Sequence, residues 1–135
     1  MFFQTNNKIT IVDKKGTDRQ IVESILVKDV NLFAEAELKS LEWYNNENEV
    51  VAIKMLPKLM EFVNDRVGDT DVIYCATIES LFTDDDDNEK TTRYNVGVYA
   101  ETLEEATATT IEYMKGGMTD LSLISIKKTR IVEVI

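Results

Sequence analysis

The densest run of chemically capable side chains is Asp84-Asp85-Asp86-Asp87-Asn88-Glu89. Carboxylates this close together can hold a hard cation or face a basic partner. A calcium loop of the EF-hand type needs ligands at alternate positions, a central glycine and a glutamate at position 12. The run has no glycine, and Asn95 stands where that glutamate should fall, counting from Asp84. It therefore reads as a solvated hairpin loop whose charge discourages edge-to-edge association. Asp84, Asp85, Asp86, Asp87 and Glu89 remain a candidate surface for a basic protein partner.

The positive charge that could hold an anion is sparser. Arg93 opens a strand, while Lys127, Lys128 and Arg130 fall together at what reads as the turn of the last hairpin. Guanidinium and ammonium groups are the donors a phosphate pocket uses. Trp43 and Tyr44, at the end of the first predicted helix, either close the core or offer rings on which a base can stack. These six residues are the candidate ligand set, with scattered surface cations as the plainer alternative. The residue pattern calls for no cofactor and no metal.

Other chemistries lack their residues. The chain has no histidine, which removes the commonest general base and every Ser-His or Cys-His pair. Cys75 is its single cysteine, so neither a Cys/His zinc site nor an internal disulfide can form. Cys75 reads as core packing rather than as a reactive thiol. No glycine pattern matches a phosphate-cradling loop. Carboxylate-only catalysis needs acids on rigid, partly buried elements, and most acids here fall in loops or on exposed helix faces. A conventional enzyme is not expected.

With 25 acidic and 15 basic residues among 135, the net charge is -10. That field opposes direct binding to nucleic acid, whose affinity rests on neutralised phosphates. It suits solubility, a basic partner, or mimicry of nucleic acid. No stretch approaches the roughly 20 apolar residues that span a bilayer, and no secretory leader is visible. The expected location is the cytoplasm, without membrane contact.

The elements that must position these residues follow from periodicity. Phe3 to Val12 and Ile21 to Val27 form a hairpin around Asp13-Lys14-Lys15-Gly16. Asn31 caps a helix over about 32–45, with Phe33, Ala36, Leu41 and Tyr44, and Leu38 nearby, facing a core. Glu49 to Leu56 is a strand ended by Pro57, and residues 58–67 stay ambiguous. Asp71 to Thr83 and Thr92 to Ala100 form the second hairpin, with Tyr74, Ala76 and Ile78 on one face of the first strand and Tyr94, Val96, Val98 and Ala100 on one side of the second.

Thr102 and Glu105 make a capping box for the second helix, which turns Leu103, Ala106, Thr110, Ile111 and Met114 inward and stops at Gly116-Gly117. Leu121 to Lys127 and Ile131 to Ile135 close the chain. The expectation is one α+β domain over 1–135, a mainly antiparallel sheet with two helices on one face. It is built from two pseudo-repeated β-β-α-β halves, about 1–56 and 70–135. Whether the halves share one continuous sheet is left open.

The stretch YNVGVYAETLEEATATTIEYMKGGMTDLSLISIKKTRIVEVI, with MFFQTNNKITIVDKKG, VNLFAEAE and EVVAIKMLPKLMEFV before it, resembles a family of small proteins of Bacteroidetes and their bacteriophages. No activity is established for that family. The motifs are structural and carry no catalytic residue across. The resemblance implies an accessory binding protein of a phage or mobile element. In its sharpest form the protein counters host defence by sequestering a nucleotide signal, with Arg93, Lys127, Lys128 and Arg130 on phosphate. An acidic inhibitor or nucleic-acid mimic, and an assembly protein forming homo-oligomers, are the alternatives.

Overall fold

The computed structural model describes residues 1–117 and 120–135. Among them lie β1 (Phe2–Val12), β2 (Asp18–Val27), α1 (Phe33–Trp43), β3 (Asn48–Leu56), β4 (Leu59–Phe62), β5 (Val72–Thr83), β6 (Glu89–Ala100), α2 (Leu103–Lys115), β7 (Asp120–Lys128) and β8 (Ile131–Val134). The class is α+β, and the strands divide into two mainly antiparallel sheets, ordered β3-β1-β2-β8 and β4-β6-β5-β7. Two compact units result: residues 1–57 with 130–135, and residues 58–129.

Each unit is wired alike. A long hairpin leads to a helix, and a return strand pairs antiparallel with the first hairpin strand. A short fourth strand then lies parallel to the second hairpin strand: β8 on β2 in the first unit, β4 on β6 in the second. That fourth strand is supplied from elsewhere in the chain. β3 is followed across Pro57 and Lys58 by β4 of the second sheet, and β7 across Thr129 and Arg130 by β8 of the first. The expectation of a closing β7–β8 hairpin is thereby corrected. A two-residue connection permits a hairpin, but β7 and β8 find partners in different sheets.

The likeness extends to irregularities. The β1–β3 ladder slips between Asn6 and Asn7, leaving Val51 without an opposite residue, and the β5–β7 ladder slips between Thr77 and Ile78, leaving Ile124 so. Such bulges on an outer strand bend it and blunt the edge against foreign strands.

Helix α1 packs on β1, β2 and β3, and α2 on β5, β6 and β7. Both sit close to their sheets because the contact residues are small. Ala36 and Ser40 are the buried residues of α1, and Ala106 and Thr110 those of α2. Of the stripes expected to face inward, Ala36, Ala106 and Thr110 are buried and Met114 packs against the core, but most of the large residues are not buried. Phe33, Leu38, Leu103 and Ile111 are each about half exposed, and Leu41, Tyr44 and Met114 are only partly covered. A four-residue spacing of small side chains lets the helix backbone approach the sheet, which displaces the bulky residues to the flanks. Asn31 does not cap α1; Leu32 holds that position with no side-chain hydrogen bond. Thr102 caps α2 as expected, accepting from the Glu105 N–H.

The second core is apolar: Tyr74, Ala76, Ile78, Val96, Val98, Ala100 and Ala106. In the first unit Phe3, Val27, Val30 and Ala36 form the cluster, and Thr5, Asn7 and Ser40 are buried beside the helix.

Residues 58–67 take a defined course. After β4, the Asn64 side chain clasps Tyr99, donating to its carbonyl at 2.8 Å and accepting from its N–H at 2.9 Å. An amide side chain thus continues the ladder where the strand ends. Met118, the last residue of the expected helix exit, lies outside the described residues.

Candidate functional site

The largest aromatic ring of the chain is on the surface. Trp43, the last residue of α1, is 51% exposed. With Lys39, Glu42 and Ile135 it lines an open groove of about 320 Å³ in the first unit. Lys39 and Trp43 are four residues apart on a helix, which puts ammonium and ring on the same side. Among the described residues no carboxylate pairs with Lys39.

The corresponding place in the second unit carries a hydrogen-bonded ring. Tyr113 stands seven residues beyond Ala106, as Trp43 does beyond Ala36. Val63 donates its N–H to Gly97 O as Ile135 does to Leu26 O. There, the Tyr113 hydroxyl donates to Glu61 Oε1 on β4, and Tyr113 and Val63 pack against the core. The hydrogen bond that latches Tyr113 to β4 has no counterpart at Trp43 among the described residues, and the first unit has a groove beside that ring.

Tyr44, the other expected aromatic anchor, is not on offer. Its hydroxyl donates to Glu23 Oε1 at 2.8 Å. Burial, reinforced by that carboxylate, pushes its pKa above the ordinary tyrosine range. Tyr44 ties the end of α1 to β2 and leaves Trp43 as the available ring.

Arg93 stands apart from Lys127 in the sheet. Arg93 is held by Glu79, directly opposite it on β5, through Nε at 2.8 Å. Lys127 lies opposite Cys75, four residues along β5 from Glu79. At about 3.3 Å per residue the two cations are roughly 13 Å apart along the sheet. Lys127 and Lys128 end β7. Cys75 is partly buried, and burial raises its pKa, with Lys127 offsetting part of the effect. A thiol so held is a poor nucleophile.

The acidic loop is ordered by its first residue. Asp84 Oδ1 accepts from the N–H groups of Asp86 and Asn88, both at 2.9 Å. Lys90 lies 3.1 Å from its other oxygen. Asp84 is a turn-forming residue, while Asp85, Asp86, Asp87 and Glu89 are exposed. Among the described residues no group of three or more Cys, Asp or Glu side chains could hold a metal ion. Among the described residues no helix is long and apolar enough to cross a membrane.

Sequence reasoning overlooked Lys39 and Ile135. Lys39 carries no motif, and Ile135 reaches the groove only because β8 joins β2. The i, i+4 spacing of Lys39 and Trp43 was the available signal.

Comparison with curated proteins and with solved structures finds no match. A family does match over residues 1–135. The chain, organised as two like-wired units with an open aromatic groove on one of them, belongs to the family described as a domain of unknown function, DUF4494.

Proposed function

We propose that the protein is a non-catalytic binding protein that captures a small planar anion, with a nucleotide as the class that fits, on Trp43 and Lys39. The observation that carries this is the pairing of a half-exposed indole with an ammonium that has no carboxylate partner among the described residues, on one side of α1 over a groove of about 320 Å³. Ligand pockets begin at roughly 300 Å³. Stacking on an aromatic face contributes about 1–3 kcal/mol per base, and a cation beside the ring adds the charge that a phosphate needs. The role in view is that of a phage or mobile-element accessory protein that sequesters a host nucleotide signal.

Trp43 is the only tryptophan, so its emission reports the site directly. A titration with mononucleotides and cyclic dinucleotides should give saturable quenching, weaker with the unphosphorylated nucleosides and lost in Lys39→Glu. Native mass spectrometry of the freshly purified protein should show the same ligand class as a discrete added mass. No quenching and no added mass up to millimolar nucleotide would overturn the reading. If Lys127→Glu with Arg130→Glu abolishes binding while Lys39→Glu keeps it, phosphate is held there and the Lys39 assignment falls.

A further inference from the structure

Helix α1, which carries Trp43 and Lys39, is attached to its sheet differently from α2. We infer that α1 is hung on its sheet by hydrogen bonds and opens locally, independently of α2, with Ser40 and Tyr44 as the residues that position the Trp43–Lys39 groove. The importance of that motion for binding rests on the preceding reading; the motion itself does not.

Five observations converge. First, α2 is capped by Thr102, and the Glu105 carboxylate accepts from the Glu101 N–H; α1 has Leu32 at its cap and no such bond. Second, the last turn of α2 carries Lys115, paired with Glu112, while the last turn of α1 has no basic residue to meet the helix dipole. Third, α1 ends through Asn45 and Asn46 at φ 54° and 61°, a left-handed pair that side chains other than glycine adopt at a cost.

Fourth, α1 is shorter, with 11 residues against 13. Fifth, its buried contact is apolar at Ala36 but polar at Ser40. Ser40 Oγ and Thr5 Oγ1 are 2.7 Å apart. Asn7 donates to Thr5 Oγ1 at 3.0 Å, and Asn48 donates to Asn7 Oδ1 at 2.8 Å. Asn48 Oδ1 is left buried with no partner among the described residues. In the second unit Ala76 and Ile78 stand where β1 has Thr5 and Asn7, as the matched ladder slips show. Thr110 there bonds back to Ala106 O of its own helix rather than to the sheet.

A buried hydrogen bond contributes little net stability but is costly to leave half-made. A helix held this way has few intermediate states: docked with its hydroxyls paired, or lifted into water where they are paired again. Local opening of this kind is read by amide exchange.

The test is hydrogen exchange on the whole ligand-free protein, with α2 as the internal reference. The amides of α1 should exchange about five- to ten-fold faster than those of α2, the size of a missing cap. Ser40→Ala and Tyr44→Phe should each speed exchange in α1 and leave α2 unchanged, whereas Ser40→Thr, which keeps the hydroxyl, should not. The sign for Ser40→Ala decides the matter. Alanine is the better helix former, so a helix docked by packing alone would exchange more slowly.

Equal protection of the two helices, or slower exchange in Ser40→Ala, overturns the inference. Tyr44→Phe, which removes one surface-side oxygen, keeps the test open if Ser40→Ala fails to fold. Exchange of α1 that is faster than α2 but unaltered by nucleotides that quench nothing would sink the ligand reading alone.

Discussion

Asp13 and Asp84 occupy the same position in the two long hairpins. Asp13 Oδ1 accepts from the N–H groups of Lys15 and Thr17 at 2.9 Å, as Asp84 Oδ1 does from Asp86 and Asn88. The backbone closes identically, Asp13 N–H to Thr17 O at 3.0 Å and Asp84 N–H to Asn88 O at 2.9 Å. The fourth residue of each loop is left-handed: Gly16 at φ 76° and Asp87 at φ 62°. The acidic run thus has one structural aspartate followed by others the turn does not need.

The Asn88 N–H, and then Lys90, hold the Asp84 carboxyl below the usual carboxylate range. A carboxyl whose folded pKa is depressed contributes stability above its unfolded pKa and loses it as pH falls through the folded value. In a carboxyl-detected NMR titration Asp84 should protonate below the ordinary aspartate range, and Asp84→Ala should destabilise the protein where Asp85→Asn does not. Protonation of Asp84 within or above that range would contradict the assignment.

The left-handed pair gives a prediction of opposite signs. Gly16→Ala should cost about 1 kcal/mol, since Ala pays for a positive φ that glycine adopts freely. Asp87→Gly should be neutral to stabilising by about 0.5 kcal/mol, because the relieved strain exceeds the added freedom of the unfolded chain only slightly. Chemical denaturation of the two variants checks it, and a destabilised Asp87→Gly would show that this side chain has another role in the loop.

Gly97 lies under a ring. A Cβ built there would come within 2.6 Å of Phe62, which also packs on Tyr99 with ring centroids 5.1 Å apart. Gly97→Ala should therefore destabilise by about 1–3 kcal/mol through overpacking. Phe62→Leu should cost less in the Gly97→Ala background than alone, a coupling measurable in a double-mutant cycle. Simple additivity would mean that the ring shifts aside without cost.

That contact also marks where legibility stopped. The hairpins, the capping box at Thr102 and the inward face of β5 and β6 follow from period-2 alternation and local hydrogen bonding, so the sequence displays them. The partner of Phe62 does not, because nothing local says that a four-residue strand after Pro57 will pair in parallel with β6. β8 on β2 is hidden for the same reason, and with it the position of Ile135 in the groove. On the helices Ala36, Ala106 and Thr110 are legible as inward positions, but hydrophobicity ranks Phe33 and Leu38 above Ser40, whereas close packing on a sheet selects for size. The cations Arg93 and Lys127 share no motif with their true neighbours, Glu79 and Cys75, which lie across a strand from each.

The helix contact is testable at its tightest points. Ala36 and Ala106 have no exposed surface, so Ala36→Leu and Ala106→Leu should each cost about 1–3 kcal/mol. Leu38→Lys, on the outward side of α1, should fall within about 0.5 kcal/mol of wild type. Urea melts of the three variants decide between this arrangement and an inward-facing Leu38, which would reverse the order.

The last prediction concerns the latch of the second unit. The Glu61 carboxylate accepting from the hydroxyl, with burial second, pushes the Tyr113 pKa up to about 12 from the ordinary 10.0. Folding therefore favours the neutral phenol. The contribution is fully present below the unfolded pKa of about 10 and is lost as pH rises from there toward 12. Tyr113→Phe should lower stability by a constant amount at neutral pH, and the gap from wild type should close across that alkaline window. Followed by phenolate absorbance, wild type should show late-titrating tyrosines, one of which disappears in Tyr113→Phe and moves toward the ordinary range in Glu61→Gln. If Tyr113 ionises near 10 with Glu61 intact, the hydroxyl is not held by that carboxylate in solution. The contrast between a latched second unit and an open first one would then have to rest on ring exposure alone.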